Sequence, residues 1–142
     1  MEQRLNVVTL GVSDVTVSTS FYKRLGWLPS RKASNARITF FQMGGAVLAL
    51  YGRNELAEDA MLPGWHGGFG GVTLAYNVRR REDVEIALAE AQKAGARILK
   101  SAKDVFWGGN SGYLADPDGH PWEVAWNPYS TLDKGGRLQL EA

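Results

Sequence analysis

The chain contains the same order of predicted elements twice, and this repeat constrains its fold more than any other feature. Residues 5–12 are rich in β-branched side chains and lead into an amphipathic stretch that ends at Gly26. Residues 71–78 lead in the same way into a second amphipathic stretch that ends at Gly95. Predicted strands around a glycine turn follow in each half. The two halves are therefore predicted to be copies of one structural module.

In the first half, Ser13 is the predicted N-cap of a helix. The side chains expected on the buried face of this helix are Val17, Phe21, Tyr22 and Leu25. Two strands at 37–43 and 46–51 are separated by Gly44 and Gly45, which predicts a hairpin. The connector that follows contains Pro63 and several glycines, so we expect a loop that is able to cover a cleft.

In the second half, residues 82–94 are predicted to be a helix with Val84, Leu88 and Ala91 on its inner face. The strands expected after it cover residues 97–102, 112–116 and 121–126. The last 14 residues are polar and contain glycine, which predicts a loose tail or an arm that contacts a partner.

Length and composition limit the class of protein. With 142 residues the chain is predicted to be one domain, residues 1–142, composed of module one (4–52), a connector (53–70), module two (71–128) and a C-terminal tail (129–142). A formal net charge of +1 argues against nucleic-acid binding. The absence of cysteine excludes disulfides and thiolate metal sites, and no apolar stretch is long enough for a membrane span. We expect a soluble, cytoplasmic protein.

Three segments carry a resemblance to a known family. They are residues 8–14 with the sequence VTLGVSD, residues 21–26 with FYKRLG and, most specifically, residues 112–124 with GYLADPDGHPWEV. In this order they resemble the vicinal-oxygen-chelate superfamily, which includes glyoxalase I, extradiol dioxygenases, and the bleomycin-resistance and fosfomycin-resistance proteins. The resemblance covers residues 4–128.

The resemblance implies an α+β fold of two βαβββ modules. Their strands would curl into one mixed sheet, a cup with the helices outside and a small-molecule ligand within. It also implies a homodimer, because single-chain members with two short modules commonly complete their cups by pairing. We expect Trp122 and Trp126 to offer aromatic surface for that contact.

In metal-dependent members of the family, the ion is held by the first and last strands of each module. The equivalent positions here are Val7, Ala49, Thr73 and Glu123. Only Glu123 is a strong ligand, and a catalytic zinc or iron normally takes three protein ligands. We therefore expect no metal at the family position and no other cofactor. A divalent ion recruited through His66 together with Glu123 remains an alternative, whereas His120 is assigned to the turn.

Strand alternation sorts the side chains that would face the cup. Offsets from the turns place Thr39 there, and Trp107 is expected at the mouth for stacking on a planar ligand, while Phe106 is expected in the core. The residues predicted to bind a ligand are Val7, Thr9, Phe41, Ala49, Tyr51, Thr73, Trp107, Tyr113 and Glu123. Most of these side chains are apolar or aromatic, which is typical of a small-molecule pocket.

Glu123 has two interpretations. As a structural residue it would pair with an arginine or accept a hydrogen bond from Thr73 or Tyr113; as a functional residue it is a candidate catalytic proton acceptor or ligand contact. Two functions therefore stay open. One is a metal-free protein that binds a small apolar or aromatic molecule in its cup. The other is a lyase-type or dioxygenase-type enzyme for a vicinal-dioxygen or dicarbonyl substrate, with Glu123 as base or metal ligand.

Overall fold

The computed structural model describes residues 1–140, and the chain divides into two compact units, Met1–Gly70 and Gly71–Ala142. The first unit combines two helices with one sheet, and the second combines one helix with a four-stranded and a two-stranded sheet, so the predicted α+β fold class is confirmed. No helix within residues 1–140 has the length and apolar character needed to cross a membrane.

The first unit contains a three-stranded sheet and two helices. Its elements are β1 (Val7–Val12), α1 (Val15–Arg24), β2 (Ile38–Met43), β3 (Ala46–Gly52) and α2 (Arg53–Asp59). The strand order is β1-β3-β2, with β1 parallel and β2 antiparallel to β3. Gly44, at φ 67°, turns the chain between β2 and β3, as the hairpin prediction required.

Three local predictions in the first unit are wrong. The N-cap of α1 is Asp14 and not Ser13, because the Asp14 carboxylate accepts a hydrogen bond of 3.0 Å from the backbone N–H of Val17. Val17, predicted on the buried face of α1, is 53% exposed, whereas Ser18 is fully buried. The connector does not begin as a loop, since its first seven residues form α2.

Module one also has fewer strands than a βαβββ unit. Between α1 and β2, pairing is limited to a single antiparallel bridge between Pro29 and Phe41. Proline has no N–H to donate to a strand ladder, which accounts for the short pairing at this position.

The second unit has the complete βαβββ order. Its elements are β4 (Leu74–Asn77), α3 (Asp83–Ala94), β5 (Arg97–Asp104), β6 (Asn110–Ala115) and β7 (Pro121–Trp126), in the strand order β4-β7-β6-β5. Gly95 ends α3 in the left-handed conformation at φ 114°. The predicted inner residues Val84, Leu88 and Ala91 are all buried.

The ends of the second unit differ from the predictions. β4 is shorter than residues 71–78, so Thr73 precedes the strand and is exposed. The predicted loose tail contains a small hairpin of β8 (Thr131–Leu132) and β9 (Leu138–Gln139). The Arg79 guanidinium holds this hairpin by donating to backbone carbonyls, including that of Asp133 at 2.8 Å. Residues 141 and 142 of the predicted tail lie outside the described part of the chain.

Candidate functional site

The two faces of the first unit's sheet have different roles. Side chains that are directly opposite each other across strands share a face. On one face, Leu48 lies opposite Phe41 and Leu50 lies opposite Thr39, and the Thr39 hydroxyl is 2.8 Å from that of Thr19 on α1. This face therefore packs against α1. The other, open face carries the alternate residues of the three strands, Val7, Thr9, Gly11, Ile38, Phe40, Gln42, Val47, Ala49 and Tyr51.

A groove of about 380 Å³ lies on the open face of this sheet. Two of the predicted ligand-binding residues, Thr9 and Tyr51, line it. Five further lining residues were missed by the sequence analysis: Asn35, Arg37, Ile38, Leu56 and Asp59. Leu56 and Asp59 lie three residues apart on α2, but no helix was predicted there, so their shared face was not readable from the sequence.

The first helix turn of α2 is packed against the open face beside the groove. A Cβ atom on Gly11 would lie only 3.0 Å from Cβ of Arg53 and 3.4 Å from Cδ2 of Leu56. Glycine at position 11 thus lets α2 approach β1 closely. As a result, Leu56 forms an apolar wall of the groove.

The entry to β2 is held by a compact turn that fixes the backbone of Arg37. Oδ1 of Asn35 accepts hydrogen bonds from the backbone N–H groups of Arg37 at 2.8 Å and Ile38 at 3.2 Å. The backbone N–H of Asn35 donates to the Ile38 carbonyl at 2.9 Å. Arg37 and Ile38 therefore leave this turn from a defined position at the edge of the groove.

The structure places two residues of the predicted cup on the opposite face. Phe41 is 1% exposed and packs near Tyr22, with ring centroids 5.9 Å apart, while Thr39 contacts α1. The correction follows from the period of two along a strand, since an error of one residue reverses the face. Phe40 is the phenylalanine on the open face. Of the other predicted residues in this sheet, Ala49 is fully buried and Val7 is 46% exposed on edge strand β1.

In the second unit, the structure brings Tyr113 and Glu123 together. They are cross-strand partners on β6 and β7, and the Tyr113 hydroxyl donates a hydrogen bond of 3.2 Å to Oε2 of Glu123. Of the two donors expected for Glu123, Tyr113 is therefore the one observed. The pairing continues across the sheet on both sides of this pair. The small side chain of Ala75 on β4 lies next to Glu123, and the cationic Lys100 on β5 lies next to Tyr113.

The environment of Tyr113 disfavours its ionised form. Partial burial raises the pKa of the Tyr113 phenol above its ordinary value of 10.0, and the negative charge of Glu123 and the hydrogen bond to it raise it further. The phenol accordingly stays protonated through the neutral range and remains a hydrogen-bond donor.

Trp107 lies at the turn before β6. Its six-membered ring occupies the space where a Cβ atom of Gly109 would be, so the absence of a side chain at Gly109 makes room for the indole. Gly109 is four positions before Tyr113, which corresponds to about 13 Å along an extended chain. Phe106, expected in the core, is instead fully exposed.

The residues that the sequence analysis assigned to the family's metal positions differ in the donor atoms that they offer. The side chains of Val7 and Ala49 have no donor atom, Thr73 lies outside β4, and Glu123 accepts a hydrogen bond from Tyr113 at one carboxylate oxygen. Within residues 1–140, no three His, Asp or Glu side chains are grouped so that they would hold an ion. His66 is exposed in the connector.

Comparison with known proteins gives a consistent result. The sequence model described as the Glyoxalase/Bleomycin resistance protein/Dioxygenase superfamily matches residues 4–124. A crystal structure of a glyoxalase-related enzyme from Fulvimarina pelagi is 37% identical, with a TM-score of 0.91, and the match covers 99% of this chain and 100% of that one. Metallothiol transferase FosB from Bacillus licheniformis is 25% identical over 123 residues, which is 84% of this chain and 73% of the relative. Lactoylglutathione lyase from Agrobacterium tumefaciens shares the fold at 19% identity, with a TM-score of 0.68 over 89% of this chain and 96% of that one.

Proposed function

The chain belongs to the glyoxalase/bleomycin resistance protein/dioxygenase superfamily, and from that premise we propose that it binds a small apolar or aromatic molecule without a metal ion. The observation that carries the proposal is the groove of about 380 Å³ on the open face of the first unit. Its volume is within the range of small-molecule sites. Tyr51, Ile38 and Leu56 supply the apolar and aromatic surface on which a flat molecule would lie.

Replacing Tyr51 with alanine tests this proposal. With 4-methylbenzyl alcohol as a neutral aromatic probe, Tyr51→Ala is expected to weaken binding about tenfold or more, because it removes the aromatic ring from the lining of the groove. The dissociation constant is measured by nuclear magnetic resonance titration, in which the methyl signals of Ile38 and Leu56 should shift. Addition of a chelator should leave the binding of the parent protein unchanged.

Tyr129→Ala is the matched control, because Tyr129 is 73% exposed and belongs to the second unit. It should bind the probe as the parent protein does. Equal affinities of the parent protein and Tyr51→Ala would exclude the groove as the binding site.

We also propose that the protein forms a homodimer, but through a different surface from the one that the sequence suggested. Trp122 is only 8% exposed and has little surface to offer, while Trp126 is half-buried. Better candidates are two of the edge strands, β1 and β4, which carry the exposed apolar side chains Val7 and Tyr76. Unpaired edge strands of this kind favour pairing with another chain.

An enzyme is the second candidate function, and the Tyr113–Glu123 pair is the observation that favours it. The similarity to a glyoxalase-related enzyme agrees with this alternative. Here the Glu123 carboxylate would accept a proton from a bound dicarbonyl or vicinal-dioxygen compound and return it to another atom of the same molecule. Tyr113, which keeps its own proton, would hold the carboxylate in position.

A titration tests whether the pair exists in solution. In Glu123→Gln the negative charge beside the phenol is lost, so the pKa of Tyr113 is expected to fall toward its ordinary value. Tyrosinate absorbance recorded against pH gives the change, and Tyr113→Phe identifies the step that belongs to this residue. An unchanged titration in Glu123→Gln would show that the two side chains do not interact.

A further inference from the structure

The groove of the first unit is lined by one cationic and one anionic side chain, Arg37 and Asp59. Among residues 1–140, neither forms an ion pair with another side chain. Both residues are exposed. Two opposite charges in one concave surface, without a mutual ion pair, are available to a ligand.

The sheet topology separates the two charges. Arg37 directly precedes β2, while Asp59 ends α2, which packs beside Gly11 of β1. In the order β1-β3-β2, the central strand β3 carries Tyr51 between them. Adjacent strands lie about 4.8 Å apart, so β1 and β2 are about 10 Å from each other. The cation and the anion therefore come from two different elements of the first unit, the entry to β2 and the end of α2, and no ion pair joins them.

The position of Asp59 is electrostatically unfavourable for the helix itself. The carbonyl end of a helix carries partial negative charge, which disfavours acidic side chains in the last turn. Asp59 is the last residue of α2, Glu58 precedes it, and this turn has no basic residue. A positive group bound beside Asp59 would offset this local excess of negative charge.

These observations define the chemical class of the ligand. We infer that the groove binds a flat, zwitterionic molecule whose anionic group meets Arg37 and whose protonated amine meets Asp59, with a ring between them on Tyr51. The inference rests on the proposed function and adds to it the charges that the ligand carries and their separation. Thr9 and Asn35 are further polar residues that line the groove.

A set of four probes with one ring and different charges tests the inference. They are neutral 4-methylbenzyl alcohol, anionic 4-methylbenzoate, cationic 4-methylbenzylamine and zwitterionic 4-(aminomethyl)benzoate. We expect 4-(aminomethyl)benzoate to bind about five- to tenfold more tightly than the alcohol, since exposed ion pairs contribute modestly. The difference should shrink as salt is added. In 2-(aminomethyl)benzoate the charges are adjacent, so this isomer should show no gain over the alcohol.

Charge-neutral variants assign each end of the ligand. Arg37→Gln should abolish the preference for 4-methylbenzoate over the alcohol and leave the preference for 4-methylbenzylamine intact. Asp59→Asn should do the reverse. Arg97→Gln and Glu90→Gln change the net charge by the same amounts at exposed positions in the second unit, and they should retain both preferences.

The outcomes separate this inference from the proposed function. If the alcohol binds and the charged probes gain nothing, or if Arg37→Gln and Asp59→Asn behave like the remote controls, the zwitterion inference is overturned and the binding function stands. If neither the alcohol nor 4-(aminomethyl)benzoate binds, both are overturned. Selective binding of 4-(aminomethyl)benzoate that depends on both residues supports the inference.

Discussion

Replacing Phe41 with alanine is expected to lower the free energy of unfolding by about 3–5 kcal/mol. Phe41 is 1% exposed and belongs to an aromatic cluster with Tyr22 and Trp27, whose own rings stack at 5.3 Å. Alanine would remove the ring from a site enclosed by a helix and two strands, and a cavity of this kind cannot fully collapse. Urea unfolding followed by circular dichroism measures the loss.

Phe40 provides the matched control for Phe41. It is the same residue type on the same strand, but it is half-buried on the open face. Phe40→Ala should cost less, about 1–2 kcal/mol, because a partly exposed ring transfers less apolar area out of water. Equal losses in the two variants would contradict the assignment of the two faces of β2.

Gly112→Ala is expected to be the second large effect, with a loss of about 1–3 kcal/mol or more. A Cβ atom at this position would lie 2.7 Å from the Lys100 carbonyl oxygen and 2.5 Å from Cδ1 of Leu88. The leucine has some freedom to move, whereas the carbonyl belongs to the backbone of β5, so the two strands would have to separate. Since β6 also positions Tyr113 against Glu123, the titration of Tyr113 should change together with stability.

Gly45→Ala is the control for the glycine change. A Cβ atom there would have no neighbour within 4 Å, and Gly45 does not adopt a positive φ. Its stability should be unchanged or slightly increased, because alanine restricts the unfolded chain. If Gly112→Ala is as stable as Gly45→Ala, then β5 and β6 are less closely packed than the structure indicates.

The sequence alone determined those features that depend on local pattern. The duplicated order of elements, the helix with its inner face at Val84, Leu88 and Ala91, and the glycine that ends it were all readable from periodicity and turn chemistry. The resemblance of residues 112–124 to the family was also visible in the sequence, because the motif is one continuous segment and does not depend on contacts between distant elements. Within the candidate site, Thr9 and Tyr51 were predicted to face the cup by strand alternation counted from the family positions Val7 and Ala49, and both line the groove.

The tertiary structure decided the features that depend on where separate elements meet. The face of Phe41 follows from the register between β2 and β3, and a change of one residue reverses it. Arg37 and Asp59 are 22 positions apart, and they share a groove only because α2 packs beside Gly11. The short pattern of α2 gave little sign of a helix in a glycine-rich connector, because isolated helices of seven residues are marginal without tertiary contacts. Local periodicity therefore specified the modules, whereas long-range packing selected which of their charges face the groove.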